Sequence, residues 1–115
     1  MTKNNPDIKR KKGYTLIRLP GTITTDSIFL IENRIESVIT KENNQIALDL
    51  SSIQSVYSIL ITLILHIENQ VSQAEGMLYL VNVHESCYTQ LKTINLDKVF
   101  QIYEKEGDLR ILLGD

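Results

Sequence analysis

Few side chains in this 115-residue chain are suited to covalent or acid–base chemistry, and those few do not cluster. His66 and His84 are the only histidines, and neither has partners at the spacing of a zinc site, which needs several convergent donors. Cys87, the single cysteine, rules out an internal disulfide and a four-cysteine metal site. Its place near the start of a helical segment would favour a thiolate, but Tyr88 and Leu91 continue a packing pattern around it, so it reads as a small buried hydrophobe. No carboxylate pair stands out as general acid and base, and the five glycines form no phosphate-cradling loop. No catalytic residue, metal or cofactor is expected.

Ser58 is different because of where the chain delivers it. The stretch from Ala47 to Leu65 reads ALDLSSIQSVYSILITLIL: a buried strand, a hydroxyl-rich connection, then a helix apolar over most of its circumference. A serine in the first turn of a helix meets unpaired backbone amides and the positive end of the helix dipole. A phosphate there would be stabilised, and its added charge would disturb an apolar interface. The same serine also suits an ordinary capping or first-turn role, and local chemistry alone leaves both readings open. Ser58 lacks the small flanking residues of a nucleophile elbow.

The elements that position this segment follow from periodicity. Tyr14 to Leu19 reads as a strand ended by Pro20-Gly21, and Thr22 to Thr25 as a second short strand. A helix from Ile28 to about Lys41 follows, capped by Asp26 or Ser27, with Ile28, Leu30, Ile31, Ile35, Val38 and Ile39 as its apolar stripe. Strands are expected at Ile46–Leu50, Met77–Val83 and Val99–Tyr103, and helices from Ser58 to Glu75 and from His84 to Thr93. Leu109 to Leu112 reads equally as a helical turn or an edge strand. Alternating strands and helices define an α/β layer in one domain.

On the central helix, Ser58, Thr62, His66, Asn69, Gln70 and Gln73 share one side, and Leu60, Ile64, Ile67, Val71 and Ala74 the other. Ile59, Ile61, Leu63 and Leu65 widen the apolar arc beyond what one sheet buries. Either the rest of the chain covers them, or a partner or second copy does. The expected contact surface comprises Tyr57, Ser58, Ile59, Thr62, Leu63 and His66.

Charge is uneven. Residues 1–13 carry a net +4, while the whole chain carries −2. These thirteen residues read as a basic, flexible arm preceding a domain at 14–115, and without interleaved aromatics a direct nucleic-acid contact is not expected. The longest nearly apolar run, Ile59 to Ile67, is too short to span a bilayer, and no export leader opens the chain, so a cytoplasmic location is expected.

Four segments in order resemble the STAS family: LIRLPGTIT at 16–24, IALDLSSIQSVYS at 46–58, MLYLVNV at 77–83 and LKTINLDKVFQIY at 91–103. The resemblance runs from about residue 14 to 104. It implies a mixed sheet of four or five strands with helices mainly on one face. It also implies the role of the stand-alone bacterial members, anti-sigma factor antagonists that bind an anti-sigma factor acting as a serine kinase and are switched by phosphorylation at the start of the second helix. Ser58 matches the phospho-acceptor. Around it, Tyr57 replaces the family's aspartate, Ile59 its second hydroxyl residue, and Leu60 and Thr62 its glycines, while Asn95 takes a glycine position before Leu96. The alternatives are a non-phosphorylated adaptor subunit of a transporter or another regulatory complex, and a homodimer or larger homo-oligomer built on the same surface.

Overall fold

The computed structural model describes residues 5–113. They form a five-stranded mixed sheet with four helices, in the order β1 (Asp7–Lys11), β2 (Tyr14–Arg18), α1 (Ile28–Glu36), β3 (Gln45–Asp49), α2 (Ser58–Gln73), β4 (Met77–Val81), α3 (Glu85–Thr93), β5 (Gln101–Tyr103) and α4 (Glu106–Leu112). Strand order across the sheet equals chain order. β1 and β2 make an antiparallel hairpin, and β2, β3, β4 and β5 run parallel, with Ile17 opposite Leu48 and Leu48 opposite Leu80.

Parallel neighbours need crossovers, and crossovers of one hand place their helices on one face. Thus α1, α2 and α3 share a face with Ile17, Ile46, Leu48, Leu78 and Leu80, and bury Ile31, Ile35, Leu60, Ile64, Ile67, Val71, Cys87 and Leu91 against them. Each fully buried aliphatic side chain contributes roughly 1.5–3 kcal/mol. The alternate residues Tyr14, Leu16, Ala47, Tyr79 and Val81 face the other way, where α4 closes a smaller core with Leu109. The strand periodicity of two therefore builds both cores from the same strands.

Several sequence expectations are corrected. Residues 7–11, expected within a flexible arm, form β1 and pair fully with β2; residues 1–4 of that arm lie outside the described residues. β1 eludes pattern reading because only Ile8 packs on the main core, while the exposed Arg10 donates across the hairpin to the buried Thr15 hydroxyl at 2.6 Å. Thr22 to Thr25 is not a strand: the Thr24 and Ser27 side chains bond each other and the local backbone instead. Neither Asp26 nor Ser27 caps α1 through its side chain, although Ser27 occupies the cap position. α1 also ends at Glu36, five residues early, because Val38 and Ile39 donate back only three residues in tight turns. The tail is resolved in favour of helix, as α4.

The end of α2 shows why its glycine lies where it does. Gly76 donates to Val71 at 2.9 Å and Glu75 to Ser72 at 3.0 Å, the bond pair of a Schellman motif, with Glu75 in the left-handed conformation at φ 62°. Gly76 is required for space instead: a side-chain carbon there would sit 2.0 Å from the Asn44 carbonyl oxygen. Asn95, at φ 63°, takes the left-handed position after α3 in the way its side chain permits.

Candidate functional site

The segment between β3 and α2 is held from two sides. Leu50 donates to the Val81 carbonyl at 3.0 Å, and Ser51 donates to the buried Asp49 carboxylate at 2.8 Å. The Val56 amide donates to Gln90 Oε1 on α3 at 2.8 Å. On the other flank the Ile23 amide donates to the Tyr57 hydroxyl at 3.0 Å. Tyr57 is thus half-buried and structural, and it fixes where the next residue emerges. A shallow cavity of about 310 Å³ lies beside it, lined by Gly21, Thr22, Ser52, Gln54 and Ser55.

Ser58 is the first residue of α2 and is exposed. Tyr57, in extended conformation at the cap position, supplies no side-chain acceptor to the helix, and the first turn holds no acidic residue. The positive end of this sixteen-residue helix is therefore uncompensated by its own side chains. One turn on, the Thr62 hydroxyl is exposed and donates to the Ser58 carbonyl at 3.0 Å. His66, a further turn along, is exposed and lies 3.2 Å from the Glu32 carboxylate of α1. Ile59 is half-buried between them and packs on the core.

Leu63 does not belong to this surface. It is fully buried in the main core, and the expected contact there is withdrawn. At 100° per residue Leu63 falls within about 60° of Leu60 and about 40° of Ile67, at the edge of the buried stripe, so the chain itself covers most of the widened apolar arc. Ile61 is half-buried, and Leu65, 41% exposed, is the member left wet.

α1 adds two residues that sequence reading missed as contacts. Phe29 is 70% and Leu30 67% exposed, although Leu30 was expected in the buried stripe. Ile31 and Ile35 take the core face of α1, and Glu32 faces α2 through His66. Phe29, three residues before Glu32, therefore falls on the outer edge of α1 one turn back, toward the level of Thr62. A phenylalanine off the apolar stripe of an amphipathic helix was the available signal. Together Ser58, Thr62, Leu65, His66 and Phe29 form a mixed surface with an exposed hydroxyl at its helix start.

No cluster of histidine, cysteine, aspartate and glutamate that could hold a metal ion occurs among the described residues. Burial pushes the Cys87 thiol up, with a smaller opposing hydrogen bond from Ser86, and its sulfur rests 3.5 Å from the Ile53 carbonyl. Cys87 is a core residue, as its neighbours in sequence suggested. His84 contacts the Ser51 carbonyl at 3.0 Å, and burial raises the Glu68 carboxyl on α2. No helix is long and apolar enough to cross a membrane among the described residues.

These elements make an α/β domain with an exposed serine at the start of its second helix. The STAS domain model matches residues 5–109, and the chain belongs to the STAS domain family. An anti-sigma factor antagonist STAS protein from Planctomyces limnophilus shares the fold with a TM-score of 0.81 at 14% identity, over 96% of this chain and 99% of that one. An anti-sigma factor antagonist from Mycobacterium paratuberculosis gives 0.78 at 17% identity, over 96% and 93%. The Bacillus cell fate determinant SpoIIAA in its phosphorylated form gives 0.69 at 15% identity, over 93% and 98%. At these identities the likeness is one of fold. No curated protein matches the chain.

Proposed function

We propose that this protein is a non-enzymatic regulator that acts by binding an anti-sigma factor of the serine-kinase type, through the start of α2, with Ser58 as the switch. The carrying observation is an exposed serine at the first position of a helix that has neither a side-chain cap nor a first-turn acid. A phosphate on Ser58 would find free amides and the positive helix end, and would place about −1.5 to −2 charges on the contact surface. That SpoIIAA was solved in a phosphorylated form supports the reading. A cytoplasmic site of action goes with it.

Exposed Phe29, Leu30 and Leu65 favour a second reading, a constitutive adaptor or homo-oligomer, since permanent interfaces are the more apolar. Affinity capture from the native cell with wild type and Ser58→Asp, with intact mass of the recovered protein, separates them. A kinase-like partner held by wild type and lost from Ser58→Asp, with phosphate on part of the wild type, is expected. A partner held equally by both, with no phosphate, supports the adaptor.

A further inference from the structure

We propose that the β1–β2 hairpin and the end of α4 form a docking surface for an anionic lipid bilayer, separate from the α2 surface. The hairpin carries Lys9, Arg10, Lys11 and Lys12: strand alternation puts Lys9 and Lys11 on the α4 face and Arg10, bonded to Thr15, on the other, while Lys12 and Gly13, the latter at φ 90°, form the turn. Asp7 is its one acid and is shared between Lys9 and Arg18, each at 3.9 Å. Lys11, Lys12 and, on α4, Arg110 have no ion-pair partner among the described residues. On this side of the hairpin and α4, five cations (Lys9, Lys11, Lys12, Arg18 and Arg110) stand against three acids (Asp7, Glu106 and Asp108), so the net charge is positive; Glu106 accepts from the Tyr14 hydroxyl at 2.7 Å.

The second observation is apolar. Ile111 is 78% and Leu112 63% exposed, the former more exposed than any other large hydrophobic residue described. The end of α4 that carries them abuts the hairpin turn: a side-chain carbon on Gly13 would be 2.6 Å from the Leu113 carbonyl oxygen. Lys11 pairs with Tyr14, whose hydroxyl reaches Glu106, which puts Lys11 on the α4 side of the sheet. Uncovered aliphatic side chains next to unpaired cations match a surface with negative headgroups over a hydrocarbon layer. A polyanion such as nucleic acid would use the lysines but leave Ile111 and Leu112 unused, and the aromatic ring paired with Lys11, Tyr14, is fully buried and offers no stacking face.

The test is co-sedimentation of the full chain with vesicles of phosphatidylcholine alone and of phosphatidylcholine with phosphatidylserine. Binding to the second kind only, weakened by salt, is expected. Lys11→Gln with Lys12→Gln lowers it by about twenty-five-fold, at about fivefold per charge near an anionic surface. Ile111→Ser with Leu112→Ser also lowers it, while all variants keep the wild-type circular dichroism. Absence of binding, or equal binding to both vesicles, overturns the proposal. So does binding untouched by the Ile111 and Leu112 changes, particularly where duplex DNA is held as tightly. Ser58→Asp leaves vesicle binding unchanged, so this result is independent of the α2 switch.

Discussion

The hydroxyl of Tyr57 accepts a hydrogen bond from the Ile23 amide at 3.0 Å, tying the β2–α1 loop to the residue immediately before Ser58. Tyr57 therefore reaches across from the start of α2 to another loop. The bond is a structural tie at the entry into α2.

Tyr57→Phe tests that tie. Removing the hydroxyl leaves the Ile23 amide without its acceptor in a partly buried place, at a cost of about 1–2 kcal/mol. A lower urea midpoint with an unchanged slope is expected, because the core keeps its packing. An unchanged midpoint would show that water replaces the hydroxyl without loss.

Ser58→Ala and Ser58→Asp separate packing from charge. Ser58 is exposed and its side chain caps nothing, so both variants stay within about 0.5 kcal/mol of wild type in stability. Acid at an exposed helix start stabilises slightly, here by about 0.3–0.5 kcal/mol, so Ser58→Asp should be the more stable of the two. Partner affinity, measured by titration calorimetry, should survive in the alanine variant and fall about tenfold or more in the aspartate one. Equal affinity would remove charge from the mechanism.

The parts of this fold that were legible were those whose burial shows as periodicity. The strand Ile46–Leu50 and the helix from Ser58 lie within a residue or two of β3 and α2, since their apolar residues recur at two, three and four. β1 was not legible because Asp7, Lys9, Arg10 and Lys11 leave Ile8 as its one apolar signal, and pairing with β2 decides its state. Leu63 could not be assigned to core or surface from α2 alone: its side of the helix is apolar in sequence, and only the neighbouring elements determine which apolar residues stay wet. Phe29 was missed for the converse reason, since an apolar residue outside the stripe carries no periodic signal. The exposure of Ser58, Thr62 and His66 along one side of α2 was therefore legible, and what α1 adds beside them was not.

Leu63 and Phe29 make opposite predictions from similar side chains. Leu63→Ala opens a cavity in the main core and should cost about 2–5 kcal/mol, visible as a large fall in thermal midpoint. Leu63→Lys buries an unpaired charge and should prevent folding. Phe29→Ser should leave the midpoint nearly unchanged while reducing partner affinity, because a largely exposed aromatic ring contributes through what it later buries. If Phe29→Ser lowers the midpoint as Leu63→Ala does, α1 packs more tightly than its exposure indicates and Phe29 leaves the contact surface.

Cys87 gives a prediction in pH. Burial raises its thiol above the ordinary value of 9.0, the Ser86 hydrogen bond opposing it, so the folded chain holds a proton that the unfolded chain releases. Above that value the unfolded state binds fewer protons than the folded one, and stability falls as pH rises; below it the contribution is complete and flat. Tyr79 acts in the same direction about an ordinary value of 10.0, through burial first and Tyr103 second. The thermal midpoint of wild type should therefore decline as pH passes about 9, and that of Cys87→Ala should decline less, leaving the Tyr79 part. Thiol-reagent labelling supplies the independent check: Cys87 should react slowly when folded and rapidly in denaturant, its rate tracking unfolding. Rapid labelling of the folded protein, together with parallel pH curves for the two proteins, would show the thiol to be open to water.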